Sequence, residues 1–206
     1  TSVIAQRSTV EDTLDCVTAS NARVTLNDVV LDRCNTALEV SGGSADLFRT
    51  RIVDAGMDPS IASHGAIAVD GVASESTTLM LRDSEIVDAH DSGIVLSGPN
   101  LGVDLGFAGD PSNSTITTRP NAGVWAVEDQ RTVADGGTVV LHGLWFDDDG
   151  DWVTPFIDQT ETGPGLLDEY LVGQTYEYPY YLHHAADVEV KGLNATDPAP
   201  PVGATR

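Results

Sequence analysis

The sequence predicts an all-β chain stacked as a parallel solenoid with an irregular C-terminal cap, and three observations predict it. A tripartite phrase, three short β-branched runs broken by small or acidic residues, recurs along the 206 residues. Apolar residues fall into like-on-like columns, with Val10, Leu31 and Ile52 standing 21 residues apart. Extra residues enter only between the runs, so the columns survive them, as in stacked repeat architectures.

The clearest copy is TLMLRDSEIVDAHDSGIVLSG, Thr78 to Gly98. Leu79, Leu81, Ile86, Ile94 and Leu96 are spaced for one face of short strands, and Asp83, Asp88 and Asp91 sit where the chain bends. A second copy runs from Val24 to Gly42, and a degenerate first copy from Val3 to Ser20. The third is split by the insertion GMDPSIAS into LFRTRIVDA, from Leu47, and HGAIAVDG, from His64. A fourth spans Ser114 to Glu128, and a partial copy, TVVLHGLWFD, starts at Thr138. Aligned, they give three apolar columns. One is Leu26, Leu47, Leu81 and Leu141; another is Val10, Leu31, Ile52, Ile86, Ile116 and Phe146; the third is Val17, Leu38, Ile67, Ile94 and Val124. Leucine-rich repeats share the period but need an LxxLxLxxN line and a helix in each unit. A sandwich needs independent hairpins with Asn-Gly or Asp-Gly turns. The leucine-rich-repeat pattern is absent, and insertions at turns with the columns preserved fit a solenoid better than a sandwich. The repeats fill residues 1–146, residues 147–194 read as an irregular β-rich cap, and residues 195–206 as a Pro-rich tail.

A polar column supports the register: Asn35, His64, Asp91 and Asn121 each stand three residues before the third apolar column. Asn and Asp suit bent conformations there, because their side chains bond nearby backbone groups. With these columns the chain resembles the right-handed parallel β-helix, or pectin-lyase-like, superfamily, which includes pectate lyases and other polysaccharide enzymes. The run LGVDLGFAGDPSNSTI, Leu101 to Ile116, looks like the DLG…GDP…N segment of an uncharacterised bacterial β-helix domain family. That resemblance implies a DLG turn, an Asn-bearing loop at Asn113 and a strand at Ile116. It implies fold more than activity.

Charge narrows the partners. Ten basic against thirty-two acidic residues give −22, and Lys191 is the sole lysine. Such a field repels nucleic acid and anionic membranes. No uninterrupted apolar run reaches the ~18 residues of a membrane helix. The chain opens TSVIAQRS, without an initiator Met or signal peptide, and reads as a processed piece with more coil or a cap before Thr1. Cys16 falls in the column of Ala37, Ala66 and Gly93, and Cys34 in that of Ala55 and Ala89. They are three residues out of step, and at ~3.3 Å per residue that exceeds disulfide reach. Two unpaired, largely buried thiols are expected.

Candidate chemistry is sparse. His64 and Asp91, one winding apart, suggest an acid–base pair facing a groove, against the plainer reading of a turn ladder. Asp54 and Asp88 align one winding apart, as paired carboxylates of a hydrolase would. Arg49 aligns with Asp83 and Arg51 with Glu85, which cross-strand charge pairing explains without catalysis. Asp147, Asp149 and Asp151 alternate like Ca²⁺ ligands, but Trp152 stands where an EF-hand needs glycine, and a solvated turn is the competing reading. Asp104–Asp110 is a second acidic turn open to Ca²⁺; no other cofactor is implied. GLLDEYLVG, Gly165 to Gly173, reads as a short helix. Tyr176, Tyr178 and Tyr180 share one strand face, either capping the last winding or stacking on sugar rings.

Two functions follow. One is a non-catalytic, exported surface or structural module, extracellular or on the cell surface, that takes a polysaccharide or a surface protein as partner. The other is a polysaccharide lyase or glycoside hydrolase working in a β-helix groove. The lack of lysine on the repeats and the charge opposed to anionic polymers favour the module.

Overall fold

A computed structural model describes residues 1–56, 65–107, 110–118, 127–129, 138–141, 144–147, 152–153, 158–159, 180–182 and 188–190. Among them every element is a strand, and none is a helix. In chain order they are β1 (Ser2–Gln6), β2 (Thr9–Glu11), β3 (Asp15–Asn27), β4 (Val30–Asp32), β5 (Thr36–Phe48), β6 (Arg51–Val53) and β7 (Ile67–Asp70). There follow β8 (Thr77–Arg82), β9 (Glu85–Ala89), β10 (Ile94–Ser97), β11 (Leu101–Phe107), β12 (Asp110–Pro111), β13 (Ser114–Thr118) and β14 (Val127–Asp129). The last are β15 (Thr138–Leu141), β16 (Leu144–Asp147), β17 (Trp152–Val153), β18 (Asp158–Gln159), β19 (Tyr180–Leu182) and β20 (Val188–Val190).

Strands pair in parallel along three tracks. The first holds β1, the second half of β3, the second half of β5, β8, β11, β15 and β20. The second holds β2, β4, β6, β9, β13 and β16. The third holds the first halves of β3 and β5, then β7, β10, β14 and β19. From β1 to β16 the described track strands follow one cyclic order, whereas β18 and β19 both lie on the third track, paired with each other. β3 and β5 bend from the third track to the first at Asn21 and at Gly42–Gly43, all left-handed in φ. At Gly43 (φ 86°) a Cβ would lie 2.2 Å from the Ala22 carbonyl oxygen, so glycine alone fits this close approach. Among the described residues antiparallel pairing is confined to the pairs β11–β12 and β16–β17 and a bridge between Val72 and Glu75.

Period-two alternation decides what is buried. On the first track Ala5, Leu26, Leu47, Leu81, Leu105 and Leu141 stand in register, and on the second Val10, Leu31, Ile52, Ile86, Ile116 and Phe146. Leu26, Leu31, Leu38, Leu47, Ile52, Ile67, Leu79, Leu81 and Ile86 are fully buried, each contributing about 1.5–3 kcal/mol. The sequence columns hold, with two corrections. The DLG segment is not a turn: LGVDL is a strand alternating buried Leu101, Val103 and Leu105, and the reversal comes after it, where Phe107 pairs with Asp110. The third column continues Val17, Leu38, Ile67, Ile94 into Val127 rather than Val124, which removes Asn121 from the polar column.

The cysteines also differ from expectation: Cys16 and Cys34 form a disulfide, with their Cα atoms 5.7 Å apart. Both columns were aligned correctly, since Cys16 faces the position of Ala37 and Cys34 that of Ala55. Three residues of offset do not add up to a straight strand, because the chain turns a corner between β2 and β3 and brings Cys16 back over Cys34.

Candidate functional site

The corners, where polar residues collect, are the place to look for chemistry. Two of them are stacks of left-handed residues. Arg7, Asp28, Arg49, Asp83 and Asn113 form one, with φ between 48° and 56° for the first two, 46° and 49° for the next, and 50° for the last. Asp12, Arg33, Asp54 and Asp88 form the other, at φ 56°, 52°, 51° and 54°. Each left-handed residue up to Asp83 aims its N–H along the stack. Asp28 donates to Phe48 O (3.1 Å), Arg49 to Arg82 O (3.1 Å), Arg33 to Val53 O (2.9 Å) and Asp54 to Val87 O (3.0 Å).

Charges alternate from Arg7 to Asp83 in the first stack and from Asp12 to Asp54 in the second. Arg33 Nε donates to Asp12 (2.7 Å) and its other nitrogens reach Asp32 and Glu11 (3.3 Å to the latter). Arg49 Nε donates to Asp28 (2.6 Å), and Arg51 pairs with Glu85 at 3.4 Å. The hydrogen bond from Arg33 holds the Asp12 carboxyl below its ordinary 3.8, and Arg49 does the same for Asp28. Both guanidiniums are pushed up in return, chiefly by those same bonds. Next to the first stack lies a buried hydroxyl ladder. The N–H of Thr50 donates to Ser84 Oγ (3.0 Å) and that of Ser84 to Ser114 Oγ (3.0 Å).

The second stack brings together part of the predicted site. Register between Val53 and Val87 sets Asp54 and Asp88 on neighbouring passes. The new member is His90, which sequence reasoning did not select. Its N–H donates to Ala55 O (2.8 Å), and its Nε2 lies 3.6 Å from Asp54 Oδ1. An imidazole beside a carboxylate is an ion pair when protonated and an acid–base couple when not. The spacing of Asp54 and His90 could have found it only with the corner geometry in hand. Asp88 donates its N–H to Thr117 Oγ1 (3.0 Å), and Asp91 Oδ1 accepts the N–H of Ser92 (2.8 Å). Asp91 thus stands apart from the Asp54–His90 couple as a turn residue.

The remaining expectations sort as follows. His64 lies outside the described residues, so its pairing with Asp91 does too. Asn35 is buried and donates its N–H to Thr13 O (3.2 Å), but neither it nor Asp91 has a left-handed backbone. The bent residues sit instead in the two stacks above and, at the third corner, at Asn21, Asn100 and glycines. Asp104 stands in a strand, β11, and not in a turn. Arg82, 4% exposed, grips its carboxylate through two 2.8 Å bonds. Asp149 and Asp151 lie outside the described residues; Asp147 pairs antiparallel with Trp152. Tyr176, Tyr178 and residues 165–173 lie outside as well, whereas Tyr180 stands in register with Val127 and continues the third apolar column. Among the described residues no group of three or more His, Cys, Asp or Glu side chains is arranged to hold a metal. Among them, too, no helix is long and apolar enough to cross a membrane. Comparison with known proteins gives no match to a family model, a curated protein or a solved structure.

Proposed function

We propose that the chain is a right-handed parallel β-helix of the pectin-lyase-like kind, serving as a non-catalytic, exported surface module for a polysaccharide or protein partner. The cyclic order of three parallel tracks supports the architecture. One observation carries the function: several acids at and beside the corners already have structural work. Asp12 and Asp28 bind arginines, Asp54 and Asp88 turn the chain in left-handed conformations, Asp91 caps Ser92 and Asp104 holds Arg82. The Cys16–Cys34 disulfide favours an oxidising, extracellular setting. A net charge of −22 leaves neutral glycans or basic protein surfaces as the partners that fit.

The test is a panel of neutral and acidic glycans, scored for binding, for new reducing ends and for unsaturated products. Binding without turnover is expected, weakened by Tyr178→Ala if the tyrosines form the contact surface. A polysaccharide lyase or hydrolase is the second reading, favoured by the Asp54–His90 approach of 3.6 Å. Turnover abolished by Asp54→Asn or His90→Ala, with unchanged melting, establishes it and removes the module. Calcium at Asp147, Asp149 and Asp151 rests on spacing alone. It requires a higher Tm in Ca²⁺ than in chelator, because a ligand of the folded state stabilises it; equal values remove the site.

A further inference from the structure

Asn113, Ser114 and Thr115 form an Asn-x-Thr tripeptide, the acceptor pattern of N-glycosylation. It begins at the first corner stack. Asn113 is exposed there, while Ser114 and Thr115 are buried at the start of β13. We infer that Asn113 carries an N-linked oligosaccharide.

Position and chemistry agree on this residue. From Arg7 to Asp83 the stack alternates in charge, and Arg49 spends its guanidinium on Asp28. Asn113 stands where that alternation calls for a cation, and it sets a neutral amide there instead. Asparagine suits the left-handed corner. Its amide is little used: among the described residues Nδ2 has one long bond, 3.4 Å to Asp83 Oδ1. Asn100, likewise exposed and left-handed, commits its Nδ2 to Val72 O and Ala73 O, and it has Gly102, not Ser or Thr, two residues on. A bulky, solubilising sugar on exposed Asn113 displaces nothing from the core.

The two residues that follow are engaged in the fold. Ser114 Oγ accepts the N–H of Ser84 (3.0 Å), and Thr115 N–H donates to Ser84 O (3.0 Å). A transferase that reads the tripeptide therefore meets it before β13 docks, and folding then leaves the sugar outside. The setting is the exported one proposed above, on which this inference rests, and the Cys16–Cys34 disulfide fits it. In the reaction Nδ2 attacks the anomeric carbon of an oligosaccharide carried on a polyprenyl phosphate or diphosphate. The N–C bond forms as the C–O bond to phosphate breaks. The lipid phosphate leaves with that electron pair, and one Nδ2 proton passes to a base of the transferase.

Mass spectrometry of the protein purified from its source organism decides the matter, with glycopeptides mapped and both cysteines probed for free thiols. The peptide holding Asn113 is expected to exceed its sequence mass by a whole number of sugar residues. Thr115→Val, expressed in the same organism, leaves Asn113 in place and is expected to lose that increment, whereas Thr115→Ser keeps it. Asn113→Gly, which suits φ 50°, is expected to lose it too and serves if Thr115→Val upsets β13. Asn194-Ala195-Thr196, the second such tripeptide in the sequence, is mapped separately. A bare Asn113 on exported, disulfide-bonded protein overturns the inference and leaves the exported module standing, even where Asn194 carries sugar. An increment that survives Thr115→Val overturns it as well. Protein found inside the cell with both thiols free removes the exported reading, and this inference with it.

Discussion

Arginine is an uncommon residue at positive φ, yet Arg7, Arg33 and Arg49 all adopt it. Their strain is offset by position, since Arg33 and Arg49 each meet a carboxylate one pass away. The sign of the pH effect follows. Asp12 and Asp28 are held below 3.8 when folded, so their contribution is complete above 3.8 and fades as pH falls through the lowered values. The double variant Arg33→Gln, Arg49→Gln is therefore expected to melt below wild type at neutral pH. The gap closes on acidification past 3.8, and high salt narrows it because both pairs are exposed. A gap that persists in acid means the arginines act by packing. Arg82 is a different case. It is buried while Asp104 is about a third exposed, so Arg82→Ala is expected to cost roughly 2 kcal/mol, short of the ~3–5 kcal/mol for a fully buried pair. Of these residues the sequence showed Asp83 and Asp88 as bends, because Asp is a common turn residue. The arginine corners were hidden, since nothing local in an arginine signals a left-handed backbone.

At the scale of the element, alternation was legible and corners were not. Leu105 was hidden by its neighbours Asp104 and Gly106, which look like a turn, although Leu101, Val103 and Leu105 alternate as a strand does. Val124 and Val127 are both apolar and three apart, and the register shift between Ile116 and Thr118 lies just upstream, so spacing could not choose between them. The disulfide was missed for the same reason: a corner folds three residues back, where a straight count extends them. Denaturation of the oxidised chain against Cys16→Ala, Cys34→Ala is expected to differ by about 3 kcal/mol, as closing an 18-residue separation implies. No difference would show the cysteines unpaired in solution. The hydroxyl ladder makes its own prediction. Ser84→Ala strips the acceptor from the Thr50 N–H at a buried site and is expected to cost about 1–3 kcal/mol, with Ser84→Thr tolerated better.

The whole molecule rests on one claim, that successive passes lie parallel and in register, so that like residues stack from Val10 to Phe146. The resulting long-range parallel pairing closes large loops before contacts reward it, so slow refolding is expected. The candidate site inherits this geometry. Asp54 and Asp88 are neighbours only if the register between Val53 and Val87 holds. The most direct test is cysteine-pair oxidation on the outward positions of β6 and β9. The parallel register sets Arg51 opposite Glu85 and Val53 opposite Val87. R51C/E85C and V53C/V87C are then expected to cross-link rapidly, while R51C/V87C and V53C/E85C stay reduced. The reverse outcome, with the crossed pairs linking and the direct pairs failing, means antiparallel strands and contradicts the account.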